Sequence, residues 1–120
     1  MQIAKITLNT NDVAANRRFY VEFLGLTLLS EHEGAMLVFD GNLNIDSGHG
    51  NPPTTSAHIM LLSEDLQAAK QRAAEFGYQL IWENAWGAPA LMLHDPDSRM
   101  VEVMKTSHWE SLIKTRGTAG

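Results

Sequence analysis

The sequence has no cysteine among its 120 residues. That excludes a disulfide framework, a thiolate metal site and a cysteine nucleophile. Cations are also scarce, with 9 Lys and Arg against 14 Asp and Glu, for a formal charge of −5. Phosphate-backbone binding needs clustered cations, so this balance argues against nucleic acid as a partner. No apolar run approaches the roughly 20 residues needed to cross a bilayer, which argues against membrane insertion. Nor does the first strand-like stretch leave room for a signal-peptide segment, so a cytoplasmic protein is expected. There is no phosphate-cradling glycine loop, and no nucleophile–His–Asp constellation stands out. What remains is ordinary globular composition, 44% hydrophobic, and a length that fits a single domain over residues 1–120.

The chain repeats itself. Residues 2–12 alternate apolar and polar side chains and end at Asp12; residues 57–65 do the same and end at Asp65, an offset of 65 − 12 = 53. Asp is a favoured helix N-cap, because its carboxylate accepts the free N–H groups of the first turn. Val13, Tyr20, Phe23 and Leu24 then recur at helical spacing and stop at Gly25, as Leu66, Ala69, Ala73 and Phe76 stop at Gly77. Three strand-like pieces follow each helix. They are Leu26–Ser30, Ala35–Phe39 and Leu43–Asp46 in the first half, and Gln79–Trp82, Ala90–His94 and Met100–Met104 in the second. Asp40-Gly41-Asn42 and Asp95-Pro96-Asp97-Ser98 supply turn chemistry between them. The prediction is an α+β fold of two tandem βαβββ modules, at about 2–47 and 57–105, joined by a linker at about 47–56. Ser107 and Glu110 form a capping-box pattern for a C-terminal helix at about 107–114, with a frayed tail after it.

Strand parity assigns the faces. Ile6 and Leu8 oppose Lys5, Thr7 and Asn9, so the apolar pair is expected under the helix. By the same parity His58 and Met60 share a face, Glu102 opposes Val101 and Val103, and Asn44 and Asp46 oppose Leu43 and Ile45. Trp82, Trp86 and Tyr78 fall within nine residues and Met60, Met92 and Met104 lie on strands, and most of these six read as core. Trp86-Gly87 sits in the loop before the seventh strand, where an exposed Trp would be a platform for a flat or cationic ligand. His32, His49 and His108 read as surface or loop residues, and His94 stays unassigned.

Phe19-Tyr20, Phe23-Leu24-Gly25, Trp86-Gly87 and Asp95-Pro96-Asp97 followed by Glu102, in this order on paired βαβββ modules, resemble the vicinal oxygen chelate superfamily. That superfamily includes glyoxalase I, bleomycin-resistance proteins, fosfomycin-resistance enzymes and extradiol dioxygenases. The resemblance covers residues 2–105 and implies curled sheets around a cleft, with helices on the convex face. It also implies a homodimer, and a metal set with His on a module's first strand and Glu on its last. His58 and Glu102 match that set. Lys5 stands where the first-module His would be, and its ammonium has no lone pair to offer a metal.

Two functions therefore stand open. One is a metal-free cleft at a dimer interface that sequesters a small, antibiotic-like molecule, with Lys5, Thr7, Asn44, Met60 and Trp86 as ligand contacts. The other is a lyase, isomerase or dioxygenase that holds Zn, Ni, Mn or Fe through His58 and Glu102. A third, metal-free catalysis with Glu102 or His58 as general base, has less behind it. His58 alone reads more readily as a satisfied, partly buried histidine than as a metal ligand, and Glu102 as a carboxylate paired with Lys5.

Overall fold

The structure is a computed structural model, which describes residues 1–85 and 88–117. In chain order it contains β1 (Ile6–Asn9), α1 (Val13–Arg17), a π-helical turn (Arg18–Phe23), β2 (Leu28–His32), β3 (Met36–Phe39) and β4 (Leu43–Asp46). A 3-10 turn at Gly48–Gly50 follows. Then come β5 (His58–Ser63), α2 (Leu66–Phe76), β6 (Trp82–Ala85), β7 (Ala88–His94), β8 (Met100–Lys105) and α3 (Thr106–Gly117). The fold is α+β, with two four-stranded sheets of identical topology, β1-β4-β3-β2 and β5-β8-β7-β6. In each, the outer strand before the helix runs parallel to the last strand, and the other neighbours are antiparallel. None of the described helices is long and apolar enough to cross a membrane.

The chain divides into two compact units. Unit 1 is Met1–Ala57 with Asp95–Arg99; unit 2 is His58–His94 with the chain from Met100 onward. In unit 1 the register aligns Leu8, Ile45 and Leu37 across three strands, and all three are buried. Phe19 packs edge-on against Tyr20 and Phe23, with ring centroids 5.0 and 5.4 Å apart. In unit 2 Val101, Val103, Leu91 and Leu93 share one buried sheet face, and α2 packs on β7 and β8.

Both Asp caps form. Ala15 N–H donates to Asp12 Oδ1 and Ala68 N–H to Asp65 Oδ1, at 2.9 and 3.0 Å. Gly77 closes α2 in the left-handed region at φ 80°, the conformation that favours glycine at this position. The first helix departs from an unbroken α-helix. Leu24 N–H reaches back five residues to Phe19 C=O, and the widened turn keeps Phe19, Tyr20 and Phe23 buried together. The other shifts have local causes. β2 runs on to His32 because Glu33 and Gly34 both take positive φ, as a tight hairpin turn requires. β6 starts at Trp82, later than the sequence suggested, because Gly77 and Tyr78 still donate to α2 carbonyls. Ser107 lies inside α3, so it does not cap that helix. Ile6 is 53% exposed rather than packed under a helix, since it opens an outer strand beside the Asp40–Asn42 turn.

Arg99 is fully buried in unit 1, and all five of its N–H donors are used. Nε donates to Thr54 C=O at 2.8 Å, Nη1 to Asn16 Oδ1 and Asp95 Oδ2 at 3.1 and 2.5 Å, and Nη2 to Asn9 C=O and Asp97 Oδ2 at 2.8 and 3.0 Å. Asp95 Oδ1 accepts from the Asp97 and Arg99 amides, and its Oδ2 also accepts from Tyr20 hydroxyl at 2.5 Å. Asn16 Nδ2 donates to Thr10 Oγ1 and to Asp97 Oδ2. A buried guanidinium without such partners would carry a desolvation penalty of several kcal/mol.

Removing the cation strands Asp95 in a dry site. Arg99→Met is therefore expected to cost about 3–5 kcal/mol in urea unfolding; a loss under about 1 kcal/mol would show that the network is hydrated or slack. The Tyr20 phenol is pushed well above its usual range, first by burial and then by the Asp95 carboxylate. Its neutral form is thus favoured in the folded state, and that stability is lost as pH rises past the unfolded value of about 10. The fall in stability between about pH 9 and 11 should be steeper in the parent than in Tyr20→Phe. Parallel pH profiles would contradict this.

Candidate functional site

Unit 2 carries the densest chemistry. The strand register places Trp82, Met92, Glu102 and Met60 in one row across β6, β7, β8 and β5. Paired residues in a sheet project to the same side, so these four share a face opposite Val101 and Val103. The neighbouring row holds His58, Met100 and His94, and the next holds Leu62, Met104 and Ala90. Four of the six methionines thus belong to one sheet face. Trp82 is 59% exposed, which corrects its reading as core, whereas Glu102 is only 2% exposed.

His58 Nε2 lies 3.4 Å from Glu102 Oε1, and the imidazole side chain is about half exposed. Glu102 Oε2 is buried and has no hydrogen-bond partner among the described residues. A buried acceptor left in this state costs about 1–3 kcal/mol, and more when it is charged. The carboxylate is therefore held at the expense of stability.

The remaining candidates lie in unit 1 or outside the described residues. Lys5 is exposed, one residue ahead of β1. Thr7 and Asn44 are register partners on β1 and β4, with Thr7 exposed and Asn44 buried. Asn44 Nδ2 contacts Met36 Sδ at 3.9 Å. Trp86 lies outside the described residues. Of the other histidines, His49 sits 3.4 Å from Asp46 and is largely exposed, and His32 is exposed on β2. His108 is on α3 rather than in a loop, half-buried, with Nε2 buried and without a partner among the described residues. A cavity of about 480 Å³ is lined by Gln79, Leu80, Ile81 and His94, none of them a residue singled out for the site.

His58 and Glu102 are of the right chemistry for a divalent metal, but a catalytic ion usually takes three protein ligands. Among the described residues no three His, Asp or Glu side chains come together. The set does not fit a metal centre.

The sequence model of the Glyoxalase/Bleomycin resistance protein/Dioxygenase superfamily matches residues 2–103. The chain belongs to this superfamily. Solved structures of glyoxalase-like proteins share its fold. A lactoylglutathione lyase from Agrobacterium tumefaciens superposes with a TM-score of 0.71 at 20% identity, covering 90% of this chain and 96% of that one. TnmS3, an antibiotic binding protein from Streptomyces sp. CB03234, gives 0.68 at 21% identity, covering 88% and 95%. A possible glyoxalase from Bacillus cereus gives 0.68 at 25%, covering 87% and 98%. No curated protein matches the sequence. Membership fits the repeat and both site strands, and it leaves open which of the superfamily's chemistries applies.

Two residues escaped the sequence reading. Arg99 had a signal, a cation two and four residues after paired aspartates, but its partners lie 83 and 90 residues away. Trp82 had none, because its exposure depends on where β6 begins. Glu102→Met would remove the orphaned charge and add a side chain matching its neighbours. It is expected to raise stability by about 1 kcal/mol or more in thermal unfolding, as replacing buried ionic groups often does. A drop in stability would mean that the carboxylate has a partner in the folded protein.

Proposed function

We propose that this superfamily member is a small-molecule-binding protein that sequesters its ligand without a metal, as a cytoplasmic homodimer with the cleft at the subunit interface. The observation that carries the reading is Glu102, a buried carboxylate with one oxygen unsatisfied among the described residues, in a sheet row otherwise built of thioethers and a Trp. A donor set of two argues for organic ligands, which need one or two placed polar groups on an apolar wall. Lys5, Thr7, Asn44, Met60 and Trp86 are assigned as ligand contacts. Lys5 stands at the repeat position equivalent to His58 (58 − 5 = 53). The structural likeness to an antibiotic binding protein is in keeping with sequestration.

The 3.4 Å approach of His58 to Glu102 favours a second reading. In it the pair forms part of a metal-dependent lyase, isomerase or dioxygenase site, completed by a donor that the described residues do not bring to it.

Calorimetry with Zn, Ni, Mn and ferrous iron separates the two. The binding-protein reading expects no saturable uptake at micromolar metal, and light scattering at twice the 13.3 kDa chain mass. Stoichiometric tight uptake of any of these ions would establish the second reading instead. A mass of one chain would remove the subunit-interface cleft.

A further inference from the structure

The class of ligand follows from how the row Trp82–Met92–Glu102–Met60 is built. The four side chains offer three kinds of contact in one line. Trp82, 59% exposed, presents an aromatic surface at the β6 end. Met92 and Met60 flank the carboxylate with polarisable, conformationally adaptable thioethers, which suit the face and edge of aromatic rings. Glu102 supplies an acceptor that nothing in the described protein satisfies. An anionic or purely acceptor ligand would leave that oxygen unpaired and add repulsion. A ligand bearing a charged N–H would satisfy it with a charge-assisted hydrogen bond, which is roughly twice as strong as a neutral one.

We propose that unit 2 recognises a planar aromatic cation, with an N–H donor on Glu102 and the ring system over Met92 towards Trp82. This rests on the binding-protein reading above and deepens it. The site is closed in the free protein, because Glu102 Oε2 is out of reach of solvent. His58 is the group that opens it. Its side chain is about half exposed, it meets the carboxylate in a single 3.4 Å contact, and it sits at the first residue of β5. It meets the carboxylate at Oε1, beside the unsatisfied Oε2, and gives way to a ligand donor that engages the carboxylate. Trp82 then acts on the ring and not on the charge, through stacking and cation–π attraction. The overall negative charge of the chain favours approach by cations as well.

The test uses two probes with the same three-ring skeleton, 9-aminoacridine as the cation and 9-anthracenecarboxylate as the anion, in fluorescence titrations of the full chain at pH 7. The parent protein is expected to bind the cation saturably, one per chain, at least about tenfold more tightly than the anion. Glu102→Gln should abolish that preference by weakening the cation alone. Trp82→Leu should weaken both probes by a similar factor. Circular dichroism checks that each variant folds. His58→Ala, which keeps the carboxylate, should strengthen the cation several-fold by removing its competitor. Equal binding of the two probes by the parent, or an intact preference in Glu102→Gln, overturns the assignment of ligand class while leaving a binding protein. Saturation by neither probe, in the parent and in His58→Ala alike, overturns the binding-protein reading along with it.

Discussion

A guanidinium with every donor occupied holds unit 1 together. Arg99 collects two carboxylates, one side-chain amide and two main-chain carbonyls, and each comes from a different place in the chain. Asn9 ends β1, Asn16 lies in the first helix, Thr54 lies in the stretch before β5, and Asp95 and Asp97 flank the turn after β7. Lysine could not replace it, because an ammonium has three donors and no planar fork. The Asp-Pro-Asp turn therefore does more than reverse the chain. Its two carboxylates neutralise a buried cation, and Tyr20 adds a hydroxyl to the same oxygen that Arg99 contacts. Residues 95–99 belong to unit 1 for this reason, and Met100 opens β8 directly afterwards.

Three residues beyond Arg99 the opposite treatment of charge appears. Glu102 is nearly as buried as Arg99, but among the described residues one of its oxygens meets only a half-exposed imidazole and the other has no partner. Burial of a polar group without a partner is destabilising, and proteins keep such groups mainly where function needs them. The flanking residues could have been ordinary aliphatics, yet they are methionines, which adapt to varied surfaces. Saturation at Arg99 and a deficit at Glu102 distinguish a charge that maintains the fold from the charge on which the proposed ligand contact rests. The superfamily frame, shared by lyases and binding proteins, accommodates both, so the side chains on the sheet face must settle the chemistry.

Much of this was legible in the sequence because it depends on local rules. Asp12 and Asp65 announce helix starts through their side-chain chemistry, Gly77 announces a stop, and the 53-residue offset exposes the duplication before any contact is known. Parity alone placed His58, Met60 and Glu102 on one side of their strands. What escaped depends on distant partners or on small shifts. The Arg99 network joins residues up to 90 apart, which no periodicity reveals. The π turn at Arg18–Phe23 reflects packing of three aromatic rings and not helix propensity. Trp82 looked like core because the strand containing it was placed too early, and its exposure changes the reading of the face.

The central claim is that the methionine face of unit 2, with Glu102 at its centre, is a binding surface for an organic cation. Methyl NMR of the six methionines tests this directly, because four belong to that face and Met1 and Met36 belong to unit 1. On adding 9-aminoacridine, the account predicts ring-current shifts in the methyls of Met60, Met92, Met100 and Met104. A bound probe that moves none of the four would contradict it.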